Sequence, residues 1–177
     1  MSQLFIHHHL GLGDHLDCNG MVRYILKHGS YDKVAVFSKS NYFSMISYMY
    51  RDTDNINVLE ISKGDEYGDV KRIVSEGELL VIGHQFYPGK QAELSQNKNC
   101  WEIFYEQVQV PHQVRYDYFH VERDPEEEQR VFNKLNPENE PYIFIHEDTA
   151  RGFLLNRDYF LNKNLKVIEN DVTENIF

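Results

Sequence analysis

The sequence predicts an α/β protein built on a doubly wound parallel sheet, and three observations carry that prediction. Four short apolar runs, residues 3–8, 33–38, 56–61 and 78–83, have the length of strands. Segments of helical periodicity separate them, and strands that alternate with helices pair in parallel. The first junction, residues 4–23, passes from a strand pattern through glycine punctuation straight into a helix pattern, which is half of a βαβ unit.

Residues 3–8 are nearly continuous in bulky side chains, as suits a strand covered on both faces. Gly11 and Gly13 supply backbone freedom at the turn, and Asp14 stands where a helix N-cap is expected. In the helix, Cys18, Met21, Val22 and Ile25 fall on one stripe, and Gly20 predicts a close approach of helix and strand. Lys27, His28 and Gly29 end it with a cationic last turn and a C′ glycine.

The run KVAVFS at 33–38 is the second strand, and 40–51 a helix burying Phe43, Ile46, Met49 and Tyr50. Residues 56–61 alternate as a third strand, 65–76 form a short polar helix, and ELLVIG at 78–83 reads as a buried, central fourth strand. A polar loop broken by Pro88 and Gly89 follows over 84–98, then a helix over 101–108 ended near Pro111 and His112. Residues 116–121 suggest a short strand. Asp124, Pro125 and Glu126 to Glu128 make an N-cap, an N1 proline and a solvated acidic first turn of a helix running to Leu135.

The segment NPENEP at 136–141 is the best linker in the chain, so the expected division is a first domain over 1–123, a connecting helix and linker over 124–140, and the beginning of a second α/β unit over 141–177. In that last part 142–146 and 165–168 read as strands, a polar loop lies between them, and the final ENIF resembles the start of a helix. Two strands with so little helix do not close a domain, so this unit is expected to be incomplete or packed on the first.

Composition narrows the functional classes. A hydrophobic fraction of 41% with 12 Tyr and 11 Phe belongs to a folded chain. Against 28 acidic residues there are 18 Lys and Arg, a net charge of −10 that repels polyanions, so no nucleic acid is expected as partner. Two cysteines, Cys18 and Cys100, are too few for a disulfide framework or a zinc site. No apolar run reaches the roughly 20 residues of a membrane span, and the start lacks a signal-peptide core, which makes the cytoplasm the expected compartment.

In an open parallel sheet, ligands gather at the carboxyl ends of the strands. That rim should collect His9, Gly11, Gly13, Asp14 and His15, then Lys39 and Asn41, then His84, Gln85 and Tyr87, a pocket for a sugar or phosphate-bearing ligand. GLGDH lacks the third glycine of the dinucleotide fingerprint, which counts against a dinucleotide enzyme. Asp14 has two readings, a plain helix cap or a general base taking a proton from a sugar hydroxyl. His7, His8 and His9 invite a metal, but only the first and third share a strand face and no Cys or carboxylate completes a set, so core histidines with His9 at the pocket edge, and no metal, are expected. His146, Glu147, Asp148 and Arg151 follow a strand and could grip a phosphate-bearing donor or form an ordinary polar loop. Tyr42, Tyr48, Tyr50, Trp101, Phe104 and Tyr105 read as core.

Taken together, HHLGLGDHLDCNGMVRYI resembles the first βα segment of the GT-B glycosyltransferases, in particular a group of bacterial-type sugar transferases that open on a strand, HLGLGDHI and CNGLVR. Weaker similarity continues through KVAVFSKSNY, MYRD at 49–52 and PYIFIHEDTARGF. The GLGD turn is similar to the GxLGD turn of heptosyltransferase-like enzymes, whose aspartate is taken as catalytic base; by position that implicates Asp14.

The resemblance implies a Rossmann-like N-terminal domain that binds the acceptor, a donor-side C-terminal domain, and reaction in the cleft between them without a bound metal or other cofactor. It implies a nucleotide-sugar as substrate, with a carbohydrate or glycolipid acceptor near His9, Gly11, Gly13, His15, Asn19, Lys39 and His84. His146 and Arg151 then face the donor diphosphate. A complete enzyme of this kind has two such domains, and here much of the second is missing. The rival expectation is a non-catalytic carbohydrate- or nucleotide-binding remnant.

Overall fold

The structure is a computed structural model, and it describes residues 2–62, 64–75, 77–83, 98–147, 152–156, 158–161 and 165–169. Two compact units divide the chain, 1–122 and 123–177.

The first unit holds strands β1 (Gln3–His7), β2 (Lys33–Lys39), β3 (Ile56–Ile61) and β4 (Glu78–Val81), with helices α1 (Leu12–His28), α2 (Phe43–Met49), α3 (Glu66–Ile73), α4 (Cys100–Gln107) and α5 (Val114–Asp117). The four strands are parallel in the order β3-β2-β1-β4. Register pairs Leu4 with Val34 on one side and with Glu78 on the other. The order reverses direction between β1 and β4, so the switch point of the sheet lies there.

Alternation along the strands separates two apolar layers. Leu4, Ile6, Val34, Val36 and Ile82 point to a core shared with Cys18, Met21 and Val22 of α1, Ile46 and Met49 of α2, and Phe104 and Tyr105 of α4. Phe5, Phe37, Leu59 and Leu79 point the other way, to Val70 and Ile73 of α3. The sheet is therefore clothed on both faces, which explains the unbroken burial of β2 and the expected parallel α/β class.

Three local expectations change. β4 is the edge strand among the described residues, and its side chains are exposed or only half-buried, because α3 carries the chain to the far side of β1. Residues 114–117 form α5, and the segment after it is not a strand: the 116–121 pattern reads as alternating, but Val114 is buried at the start of a helical turn. Gly20 does face a close approach, yet the partner is α5 and not a strand. A Cβ there would lie 2.5 Å from the Val114 carbonyl oxygen and 3.2 Å from Arg115 Cα.

Two polar clasps fix the periphery. Arg23 donates to Asp52 through both terminal nitrogens at 2.8 Å, and to the Met49 carbonyl at 3.4 Å. Its guanidinium lies over the buried Tyr50 ring, 5.3 Å from the centroid. The carboxamide oxygen of Asn19 accepts from the His120 N–H at 3.0 Å and from Arg23 Nε at 3.3 Å. The CNGMVR and MYRD segments, far apart in sequence, thus meet in one brace.

In the second unit, α6 (Pro125–Leu135) starts on Asp124, whose side chain accepts from the Glu127 N–H at 3.0 Å. β5 (Tyr142–Ile145) and β6 (Lys166–Glu169) pair in parallel, with the short α7 (Asp158–Leu161) between them. Ile145 and Ile168 are buried. The expected linker is folded back on itself: buried Asn136 donates to the Glu140 carbonyl at 2.8 Å and accepts its N–H at 3.3 Å. The ENIF end lies outside the described residues. Among the described residues, no helix is long and apolar enough to cross a membrane.

Candidate functional site

The carboxyl ends of β1 and β4 lie side by side, and the chain leaving each is tied to the other. Beyond β1, His9 donates from Nε2 to the Gly83 carbonyl at 2.5 Å, and its ring lies 5.3 Å from that of Phe104. Beyond β4, the Gly83 N–H donates to Gln107 Oε1 of α4 at 2.7 Å. Gly83 adopts φ +70°, a conformation that L side chains rarely take, and Phe104 fills the space a Cβ would need. This glycine, not Gly11 or Gly13, is where the rim needs a left-handed residue.

Gly11 is the N-cap of α1, with an ordinary extended backbone (φ −76°, ψ 151°), and Asp14 is its third residue, N3. The expectation of Asp14 as N-cap shifts by one helical turn for a physical reason. A Cβ on Gly11 would stand 2.6 Å from Asp14 Oδ2, so the bare glycine lets the carboxylate fold back and accept the Gly11 N–H at 3.2 Å. This is half of a capping box. The carboxylate also sits at the positive end of the helix dipole. Gly13, by contrast, is exposed with open space around it.

His15 and Asn19, expected to touch the acceptor, lie inside the core at 0% exposure. Both stand near the turn in sequence, but helical rotation carries them into the core with Cys18 and Val22, and there Asn19 meets the His120 backbone. The His15 ring stands 4.5 Å from the His8 ring, edge to face. Among the described residues neither His15 ring nitrogen has a hydrogen-bond partner. Burial, followed by the neighbouring His8 and Lys39, pushes its pKa down to about 2, so the imidazole is neutral. His7 and His8 are buried too, His8 donating from Nδ1 to the His9 carbonyl at 2.5 Å.

Lys39, at the end of β2, is paired with Glu66 of α3 at 2.7 Å, so its charge is already compensated. Asn41 is exposed. His84, Gln85, Tyr87, Asp148 and Arg151 lie outside the described residues. His146 is exposed just beyond β5, and Glu147 accepts the Leu155 N–H at 3.0 Å. Of the aromatic residues, Tyr50, Phe104 and Tyr105 are core, Tyr42 and Trp101 are half-buried, and Tyr48 is 45% exposed. Among the described residues, no group of three or more His, Cys, Asp or Glu side chains is arranged to hold a metal ion.

Sequence reasoning missed Gly83 and Gln107. A lone glycine at the end of an apolar run was the only available signal for the first, and the second becomes relevant only when α4 returns to the strand end. It also missed Asp17 and Arg115, whose ion pair joins α1 to α5.

Comparison with family models, with curated proteins and with solved structures finds no match to this chain.

Proposed function

We propose that the chain is a nucleotide-sugar-dependent glycosyltransferase, or the acceptor-side portion of one, in which Asp14 is the general base. What supports this reading most is the placement of Asp14 in the first turn of α1, beside the switch between β1 and β4. Ligands of open parallel sheets bind at that crevice. One carboxylate oxygen is anchored by the Gly11 N–H, while Oδ1 accepts no hydrogen bond among the described residues. An oriented carboxylate with one free oxygen suits proton abstraction. In this reading the acceptor hydroxyl gives its proton to Asp14 as its oxygen bonds the anomeric carbon and the bond to the nucleoside diphosphate breaks. The backbone N–H groups of Gly13 and Asp14 orient the acceptor. Donor-side roles for His146 and Arg151 rest on the family resemblance alone.

The same hydrogen bond favours a second reading, a non-catalytic carbohydrate- or nucleotide-binding module, because it gives the Asp14 carboxylate a purely structural use. An Asp14→Asn variant separates them, since its amide oxygen still accepts the Gly11 N–H and keeps the helix start. Incubation with a panel of nucleotide-sugars and acceptors, reading released nucleotide, is expected to show turnover in the parent and a loss of about 100-fold or more in the variant. Ligand-induced thermal shifts without turnover in either protein favour the module. Full transfer by a folded Asp14→Asn protein removes Asp14 from the mechanism.

A further inference from the structure

A pocket of about 250 Å³ opens between α1 and α5, lined by Leu16, Asp17, Arg115, Tyr116 and Phe119. We infer that it is the acceptor subsite and takes one uncharged sugar ring, with the ring's C–H face on Tyr116 and Phe119 and its hydroxyls on Asp17 and Arg115. The inference deepens the reading of Asp14 as base and rests on it for the word acceptor. Asp17 follows Asp14 by three residues, so the two carboxylates are neighbours on the α1 surface, roughly 5–6 Å apart at Cβ.

The pocket is built, not incidental. Gly20 lets the α5 backbone press onto α1, which sets the spacing of the walls. Arg115 is held by three partners: it pairs with Asp17, donates to the Tyr116 hydroxyl at 3.1 Å, and stacks 4.5 Å from the Trp101 ring centroid. Tyr105 fixes the floor by donating to the Asp17 carbonyl at 3.0 Å. Yet the three apolar walls are open to solvent, Leu16 at 42%, Tyr116 at 60% and Phe119 at 45%. A rigid polar base beneath wet aromatic walls is the pattern of a small-ligand site.

The chemistry of the walls selects the guest. Asp17 and Arg115 neutralise each other, so the base offers no net charge to a phosphate or an ammonium group. It does offer donors and an acceptor side by side, the match for vicinal hydroxyls. Aromatic faces carry negative potential and attract the polarised C–H bonds of a pyranose. The volume lies below the roughly 300 Å³ at which drug-sized pockets begin, which fits one ring and not an oligosaccharide.

The test is saturation-transfer NMR on the full chain with neutral methyl hexopyranosides at millimolar concentration, with inorganic phosphate alone as a separate probe. Expected are binding of at least one glycoside, about tenfold weaker binding by Tyr116→Ala, and retention by Tyr116→Phe. Tyr116 is the most exposed of the lining residues, and an unchanged melting temperature of Tyr116→Ala confirms that the fold is kept; Phe119→Ala gives an independent second loss. Absence of glycoside binding by the parent, binding by both alanine variants as tight as the parent's, or binding of phosphate alone overturns the proposal. Asp14→Asn distinguishes it from the mechanism: unchanged glycoside affinity with full transfer activity removes the base and leaves the pocket standing.

Discussion

Arg23 holds both carboxylate oxygens of Asp52 at 2.8 Å, joining the middle of α1 to the turn that follows α2. The side chains are 12% and 20% exposed, although Asp52 as a whole is an exposed residue, so water still reaches the pair. Arg23 holds the Asp52 carboxyl below its ordinary value of 3.8 chiefly by this hydrogen bonding. Asp52→Ala is expected to lower stability by about 0.5–1.5 kcal/mol at neutral pH, read by urea denaturation. Because the folded pKa is depressed, the stabilisation is fully present above the unfolded value and is lost as pH falls through the folded one. Parent and variant should therefore converge in strong acid; a gap of constant size down to acid unfolding rules the ion pair out as its source.

His15 gives the protein a second acid sensitivity, in a milder range. Its pKa falls from 6.5 in the unfolded chain to about 2 in the core, so the unfolded state takes up a proton first. Stability is full above pH 6.5 and is lost as pH drops below it, by about 1.4 kcal/mol per unit. Between pH 8 and pH 5 the parent should lose about 2 kcal/mol that His15→Leu does not. At pH 8 the variant should be as stable as the parent or more so, since it removes a buried imidazole whose ring nitrogens have no hydrogen-bond partner among the described residues. Equally steep declines in both proteins would clear His15 of the effect.

Gly20→Ala tests the seat of α5. Alanine improves intrinsic helix propensity by about 1 kcal/mol, but its methyl group meets backbone that cannot rotate away. The clash should win, with a net loss of about 1–3 kcal/mol, seen as a lower melting temperature. A rise in melting temperature would mean that α5 yields without cost.

The two thiols should differ in reactivity. Cys18 is fully buried, and burial, reinforced by Asp14 and Asp17, raises its pKa well above the ordinary value. Cys100 is exposed at the start of α4. Native protein treated with iodoacetamide near neutral pH should carry one label, on Cys100, with Cys18 alkylated only in denaturant. Peptide mass spectrometry reads the outcome, and early labelling of Cys18 contradicts its place in the core.

Sequence alone determined the order and type of the central elements. Strand-length apolar runs alternating with helical stripes leave few ways to bury both, so β1, α1, β2, β3 and α6 fall where pattern places them. Asp14 at a glycine-marked helix start was legible for the same reason, because turn chemistry is local.

Tertiary structure decided what pattern cannot carry. The edge position of β4 among the described strands follows from the side of β1 to which α3 returns the chain. The burial of His15 and Asn19 follows from helical rotation, which periodicity alone does not anchor to a face. The need for glycine at 83 and the partner of Gly20 depend on Phe104 and α5, segments that meet them only after folding. Above all, the pocket between α1 and α5 joins residues about a hundred positions apart, and no local propensity encodes such a meeting; only the packing of the helices onto the sheet creates it.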